Sequence, residues 1–148
     1  MRFVSTAVVI STLSLACAYA SASPTDSPTA LVALQAKADQ AQPRDKCFLY
    51  AKLVSQMTDL AGRQFNAGDS GQASETLKLV QQYAEKIRMG VADDSKKLKD
   101  AELLMQRTSF RLQDIRNEAS YEDRQTLEAT LKQLNQVQAQ LMTQVFKK

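Results

Sequence analysis

Few side chains in this sequence are of a kind that does chemistry, and their spacing limits what they could do. Histidine is absent, so the commonest general base and metal ligand is missing. Of the two cysteines, Cys17 falls in an N-terminal apolar run and Cys47 stands alone beyond it. A nucleophilic Cys47 would lack an imidazole to activate it. Its setting, Lys46-Cys47-Phe48-Leu49-Tyr50, suits a buried thiol, because free cysteine packs as a small hydrophobe. The alternative is an intermolecular thiol, paired with another chain. Asp93-Asp94 is an adjacent acidic pair. A metal there would need more oxygen ligands than the local sequence offers, whereas a helix cap needs nothing further. There is no glycine-rich phosphate loop, no cysteine pair with metal-ligand spacing and no calcium-type acidic loop. The expectation is a non-enzyme with no catalytic residue, cofactor or metal; an enzyme with a carboxylate-only site is the alternative.

Charge gives little more. The densest basic patch, Lys96-Lys97-Leu98-Lys99, is flanked by Asp93, Asp94, Asp100 and Glu102, which reads as a solvated, self-neutralised helix face. Elsewhere the signs are interspersed, which argues against a nucleic-acid surface. The most suggestive pair for binding is apolar. Leu103 and Phe110 are seven residues apart, so they share one helix face, opposite Met105 and Leu112. On the plainer reading, their helix is central and buries both sides. On the sharper one, Leu103 and Phe110 stay exposed and receive a partner, with Arg107 and Asp114 as rim charges.

The elements that must position these residues are helical. Glycine and proline number four and three, and tryptophan is absent, while Ala, Leu, Gln, Lys and Arg dominate. A first helix is predicted over 29–42, with Leu31, Leu34, Ala38 and Ala41 on one side and Pro43 as its stop. A second spans 44–67. Its stripe of Cys47, Tyr50, Val54, Met57 and Ala61, beside Leu49, Leu53 and Leu60, is wide enough to meet more than one neighbour. After the turn at 66–71, a third helix carries Ala73, Leu77, Val80, Ala84, Ile87 and Val91 on one face. Asp93-Asp94-Ser95 would cap the fourth, unless the third continues through Gly90. The fourth helix repeats Leu98, Met105, Leu112 and Ala119 every seven residues, with Ala101, Thr108 and Ile115 between. The fifth, capped by Ser120-Tyr121-Glu122-Asp123, places Leu127, Leu134 and Leu141 at one heptad position and Leu131, Gln138 and Val145 at the other. Two such helices on a short turn should fold back as an antiparallel hairpin.

The chain begins as an exported protein would. Arg2 precedes an apolar run from Phe3 to Ala16, then Ala18, Ala20 and Ala22 alternate with other residues before Pro24. This is the pattern of a secretory signal peptide cut after Ala22, with Ala20 as the alternative. Ser14 stands three before Cys17, where lipidation signals usually place a branched aliphatic residue. Cys17 is therefore expected to leave with the leader. Cleavage leaves about 126 residues, one small domain, with 18 basic residues against 16 acidic once Arg2 is gone.

One segment resembles a known repeat. Leu60-Ala61, Phe65, Gly68-Asp69, Ala73 and Leu77 look like the core of a tetratricopeptide repeat, in which small residues let two helices pack closely and a glycine makes the turn. The chain departs from that pattern at Gln64, where an aromatic is usual, and at Val80, where alanine is usual. The resemblance implies a helical interaction module.

These observations predict an all-α protein: a signal peptide over 1–22, a flexible lead and short helix over 23–43, and a four- or five-helix bundle over 44–148. Its expected place is the periplasm or the exterior, with no membrane span after cleavage. Its expected role is binding an unknown protein partner or a second copy. An envelope-stress chaperone or sensor is the alternative.

Overall fold

A computed structural model describes residues 27–91 and 95–147. The leader, Cys17, the cut sites at Ala20 and Ala22, and the Asp93-Asp94 pair lie outside the described residues. Within them the chain forms five helices and no strand: α1 (Pro28–Gln40), α2 (Pro43–Asn66), α3 (Ser70–Gly90), α4 (Leu98–Glu118) and α5 (Tyr121–Phe146). No helix among the described residues is long and apolar enough to cross a membrane.

Local chemistry sets most of the boundaries. Ser27 accepts a hydrogen bond from the Ala30 amide at 3.1 Å, and Pro28 opens α1. Proline is tolerated there because its missing N–H would have had no helical partner. Pro43 opens α2 in the same way. Gly68 takes a left-handed φ of 80°, and the Gly68 and Asp69 amides donate to the Phe65 and Gln64 carbonyls at 3.0 and 2.8 Å. That closes the α2–α3 turn with the geometry glycine allows most readily. Ser120 caps α5: its hydroxyl accepts from the Asp123 amide at 3.3 Å and donates to the Asp123 carboxylate at 2.7 Å.

α2, α3, α5 and α4 occupy successive corners of a square. α2 packs on α3 and α4, α5 packs on α3 and α4, and α1 lies against α2. α3 and α4 stand at opposite corners, so the chain crosses the end of the bundle between them, pinned by the Lys96 amide donating to the Arg44 carbonyl at 2.8 Å. α3 ends at Gly90, as the main sequence reading has it and not its bent-continuation alternative, while α4 begins at Leu98 rather than straight after Ser95. The segment behind the tetratricopeptide resemblance falls on the α2–α3 hairpin, and α4 packs on α2 and α5 on α3.

The core is continuous from α1 to α5, with Leu53, Leu77, Ile87, Met105, Leu112, Leu127, Leu134 and Leu141 almost wholly buried. α2 and α4 approach closely at Gly62, where a Cβ would meet Ile115 Cδ1 at 2.9 Å. α5 differs in detail from its expected pattern. Thr130 and Val137 join the buried leucines, whereas Gln138 and Val145 are only half-buried. α5 faces α3 as well as α4, so its buried stripe is rotated toward α3.

Candidate functional site

α4 has one sealed face and one open face. Leu98, Ala101, Met105, Thr108 and Leu112, spaced 3, 4, 3, 4, fill the core. Arg111 reaches sideways to the Asp59 carboxylate at 2.6 Å on α2. On the other flank, Glu102 accepts from the Gln138 amide at 3.2 Å on α5. Opposite the core lie Leu103, Arg107, Phe110 and Asp114. The plainer expectation, that α4 is central and buries both sides, is corrected here: Leu103 is 38% exposed and Phe110 60%. α4 is a corner helix, and among the described residues no other helix covers that side. Arg107 and Asp114 are exposed there, and neither forms an ion pair among the described residues. Beside Phe110, the groove between α4 and α5 encloses about 230 Å³, bordered by Gln106, Ser109, Gln113, Leu131 and Asn135. The Ser109 hydroxyl is buried at its margin without a hydrogen-bond partner, an uncommon condition for a buried polar atom.

A second concavity, of about 510 Å³, lies where α1, α2 and the start of α4 meet. Lys37, Lys52, Lys96 and Lys97 line it together with Asp45 and Phe48. The ammonium groups of Lys52 and Lys97 stand 5.0 and 4.9 Å from the centre of the Phe48 ring, within the range at which a cation is attracted to an aromatic face. Of the carboxylates expected to neutralise the patch at 96–99, Asp93 and Asp94 lie outside the described residues. Glu102 turns to α5, and Lys96 and Lys97 line the cavity instead.

A third cluster fastens α1 to the bundle. The Tyr50 hydroxyl donates to Asp39 Oδ1 at 2.7 Å, and Lys86 Nζ approaches the same oxygen at 3.1 Å. Tyr50 and Tyr83 stack with centroids 5.9 Å apart, and Lys86 lies 5.2 Å from the centre of each ring. The Tyr50 and Lys86 hydrogen bonds hold the Asp39 carboxyl below its usual range. The Asp39 bond raises Lys86, while burial first, and the Asp39 bond second, raise Tyr50. Each group is thus held more firmly in its ordinary form at neutral pH. A general acid or base is tuned the other way, toward neutrality, so this cluster is a clasp.

Cys47 is wholly buried and free, and burial pushes its thiol up to about 11. Pairing with another chain would require α2 to leave the core. The wholly or mainly buried polar residues among those described are Thr58, Thr76, Ser95, Thr108, Ser109 and Thr130, so no buried carboxylates converge. No group of three residues able to hold a metal occurs among the described residues.

The sequence reading picked out the open face of α4 but missed the lysine cavity and the clasp. Phe48 and Lys52, four apart on one helix, are the only local signal of the cavity; its other lysines come from α1 and the crossing segment. Compared with known protein families, curated proteins and solved structures, the chain finds no match.

Proposed function

We propose that this is an exported, non-enzymatic helical protein that acts through protein association, and that the outer face of α4 is its contact surface. The observation that carries the reading is Phe110. A 60% exposed phenylalanine sits between two charges with no ion-pair partner among the described residues and beside a buried hydroxyl without one. Large apolar side chains framed by charge are a common form of protein contact surface. Among the described residues no buried carboxylates converge, which favours binding over a carboxylate-only enzyme. The alternating alanines before Pro24 favour export.

The occupant this face fits is a second copy, because the face is complementary to itself. Arg107 lies about 4.5 Å before Phe110 along the helix axis and Asp114 about 6 Å after it, at 1.5 Å per residue. When two α4 helices cross antiparallel with Phe110 at the two-fold axis, each Arg107 comes level with the partner's Asp114 to within about 1.5 Å along the axis. The amides of Gln106, Gln113 and Asn135 are donors and acceptors at once, so they can pair across the same axis. The contact is small, which implies a weak and reversible dimer. The core-facing leucines of α4 and α5 act as a heptad hairpin that holds this face rigid.

Sedimentation equilibrium on the processed protein, over roughly 10 to 500 µM, tests the reading, since that range brackets the affinities expected of small contacts. The expected result is a monomer–dimer equilibrium that the Leu103→Ser/Phe110→Ser double variant abolishes while the melting temperature holds. A monomer throughout the range would overturn it.

A further inference from the structure

Independently of that association, we propose that the cavity between α1, α2 and the start of α4 binds a small organic polyanion. Its phosphate or carboxylate groups would be taken by Lys37, Lys52, Lys96 and Lys97, and its body would lie against Phe48. Four ammonium groups and one carboxylate, Asp45, border a space of about 510 Å³, a size typical of small-molecule sites. None of the four lysines forms an ion pair among the described residues. Lys52 and Lys97 are both held within about 5 Å of one ring centre, which gathers two like charges on one side chain of the cavity wall. An anion placed there offsets their repulsion and gains both contacts.

The backbone strengthens the same field. Gln42 and Lys97 are the residues preceding the first turns of α2 and α4, both border the cavity, and neither helix has a side-chain hydrogen bond at its cap. At both starts the N-cap side chain itself leaves the first turn unbonded, at ends where the helix dipole favours negative charge. Lys97 is also the one non-glycine among the described residues with a positive φ, 56°. That left-handed conformation is unfavourable for a residue with a Cβ. Strain of this kind tends to gather at ligand sites, and here it places a lysine over Phe48 where a serine or aspartate would have closed the helix end. The carbonyl end of α1 and Asp45 oppose the field, but four ammonium groups against one carboxylate leave the lining side chains with a net positive charge.

Calorimetric titration of the processed protein at low ionic strength with pyrophosphate, and separately with citrate, tests the proposal. One saturable site is expected for at least one probe; tighter pyrophosphate assigns a phosphate ligand and tighter citrate a carboxylate one. Lys52→Gln/Lys97→Gln should weaken binding by about tenfold or more, since two charge-assisted contacts go at once. Lys78→Gln/Lys132→Gln, which removes the same charge elsewhere on the surface, should change it by less than about twofold. Phe48→Leu, which keeps every charge, should weaken it by about threefold through loss of the ring that positions both ammoniums. All of these side chains are exposed or half-buried, and a circular-dichroism melt checks that each variant is folded. Failure of both probes to saturate, equal losses in the two lysine pairs, or unchanged affinity in Phe48→Leu would each overturn the proposal.

Discussion

The two faces of α4 are built by different rules. On the inner face, five residues spaced 3, 4, 3, 4 are almost fully buried against α2 and α5. On the outer face the same helical period leaves Leu103, Arg107, Phe110 and Asp114 exposed. Inside, apolar volume is matched by neighbours and Thr108 returns its hydroxyl to the Leu104 carbonyl at 2.7 Å. Outside, Leu103 and Phe110 expose apolar area, and Arg107 and Asp114 form no ion pair among the described residues. That contrast carries the functional reading, and substitutions on the two faces should separate cleanly.

The largest effect belongs to the inner side of the hairpin. Leu134 is wholly buried on α5, so Leu134→Asp would place an unpaired charge there. A loss of about 4 kcal/mol is expected, enough to unfold much of a small domain. Chemical denaturation measures it, and a parent-like midpoint would break the packing of α5 described above. Met105→Ala on the inner face of α4 should cost about 3 kcal/mol through the cavity it leaves.

The clasp on α1 should matter less, because it is partly open to solvent. Asp39→Asn removes a charge-assisted acceptor shared by Tyr50 and Lys86, and a loss of about 1 kcal/mol is expected at neutral pH. Its pH dependence has a definite sign. The Asp39 carboxyl is lowered in the fold from a reference value of 3.8, so its contribution is complete above that value and disappears as pH falls through the lowered one. Stability curves from pH 7 to pH 2 should therefore converge for parent and Asp39→Asn at the acid end. Curves that stay parallel would show that Asp39 contributes through something other than its charge.

The smallest effect on stability is expected on the outer face. Leu103→Ser/Phe110→Ser should shift the unfolding free energy by less than about 0.5 kcal/mol, as exposed substitutions do. A loss of several kcal/mol would mean the two side chains are structural after all, and the distinction between the faces would fail.

Much of the fold was legible from apolar spacing. Ala73, Leu77, Val80, Ala84 and Ile87 all lie buried on α3 as their period required, and Ser120 caps α5 where the sequence placed it. Two things were not legible. Leu103 and Phe110 share a helical face whether or not anything covers it, so their period could not distinguish a core helix from a corner one. Nor could local sequence reveal that the chain crosses the bundle diagonally after Gly90. That crossing brings Lys96 and Lys97 beside Lys37, Phe48 and Lys52, which are 44 or more residues away in sequence. Buried positions on α5 shifted for a related reason: a helix touching two neighbours buries a stripe between them, and Thr130 and Val137 lie on that stripe.

The most direct measurement is a charge-swap series on the outer face of α4, read by sedimentation equilibrium. Arg107→Asp and Asp114→Arg each place like charges opposite one another across the proposed two-fold axis, and each should weaken the proposed dimer by about tenfold or more. The double variant Arg107→Asp/Asp114→Arg restores opposite charges with their order reversed, and association should return to within about threefold of the parent. Recovery in the double variant is the predicted result. A dimer indifferent to either single change, or one that the double change fails to restore, would contradict the account.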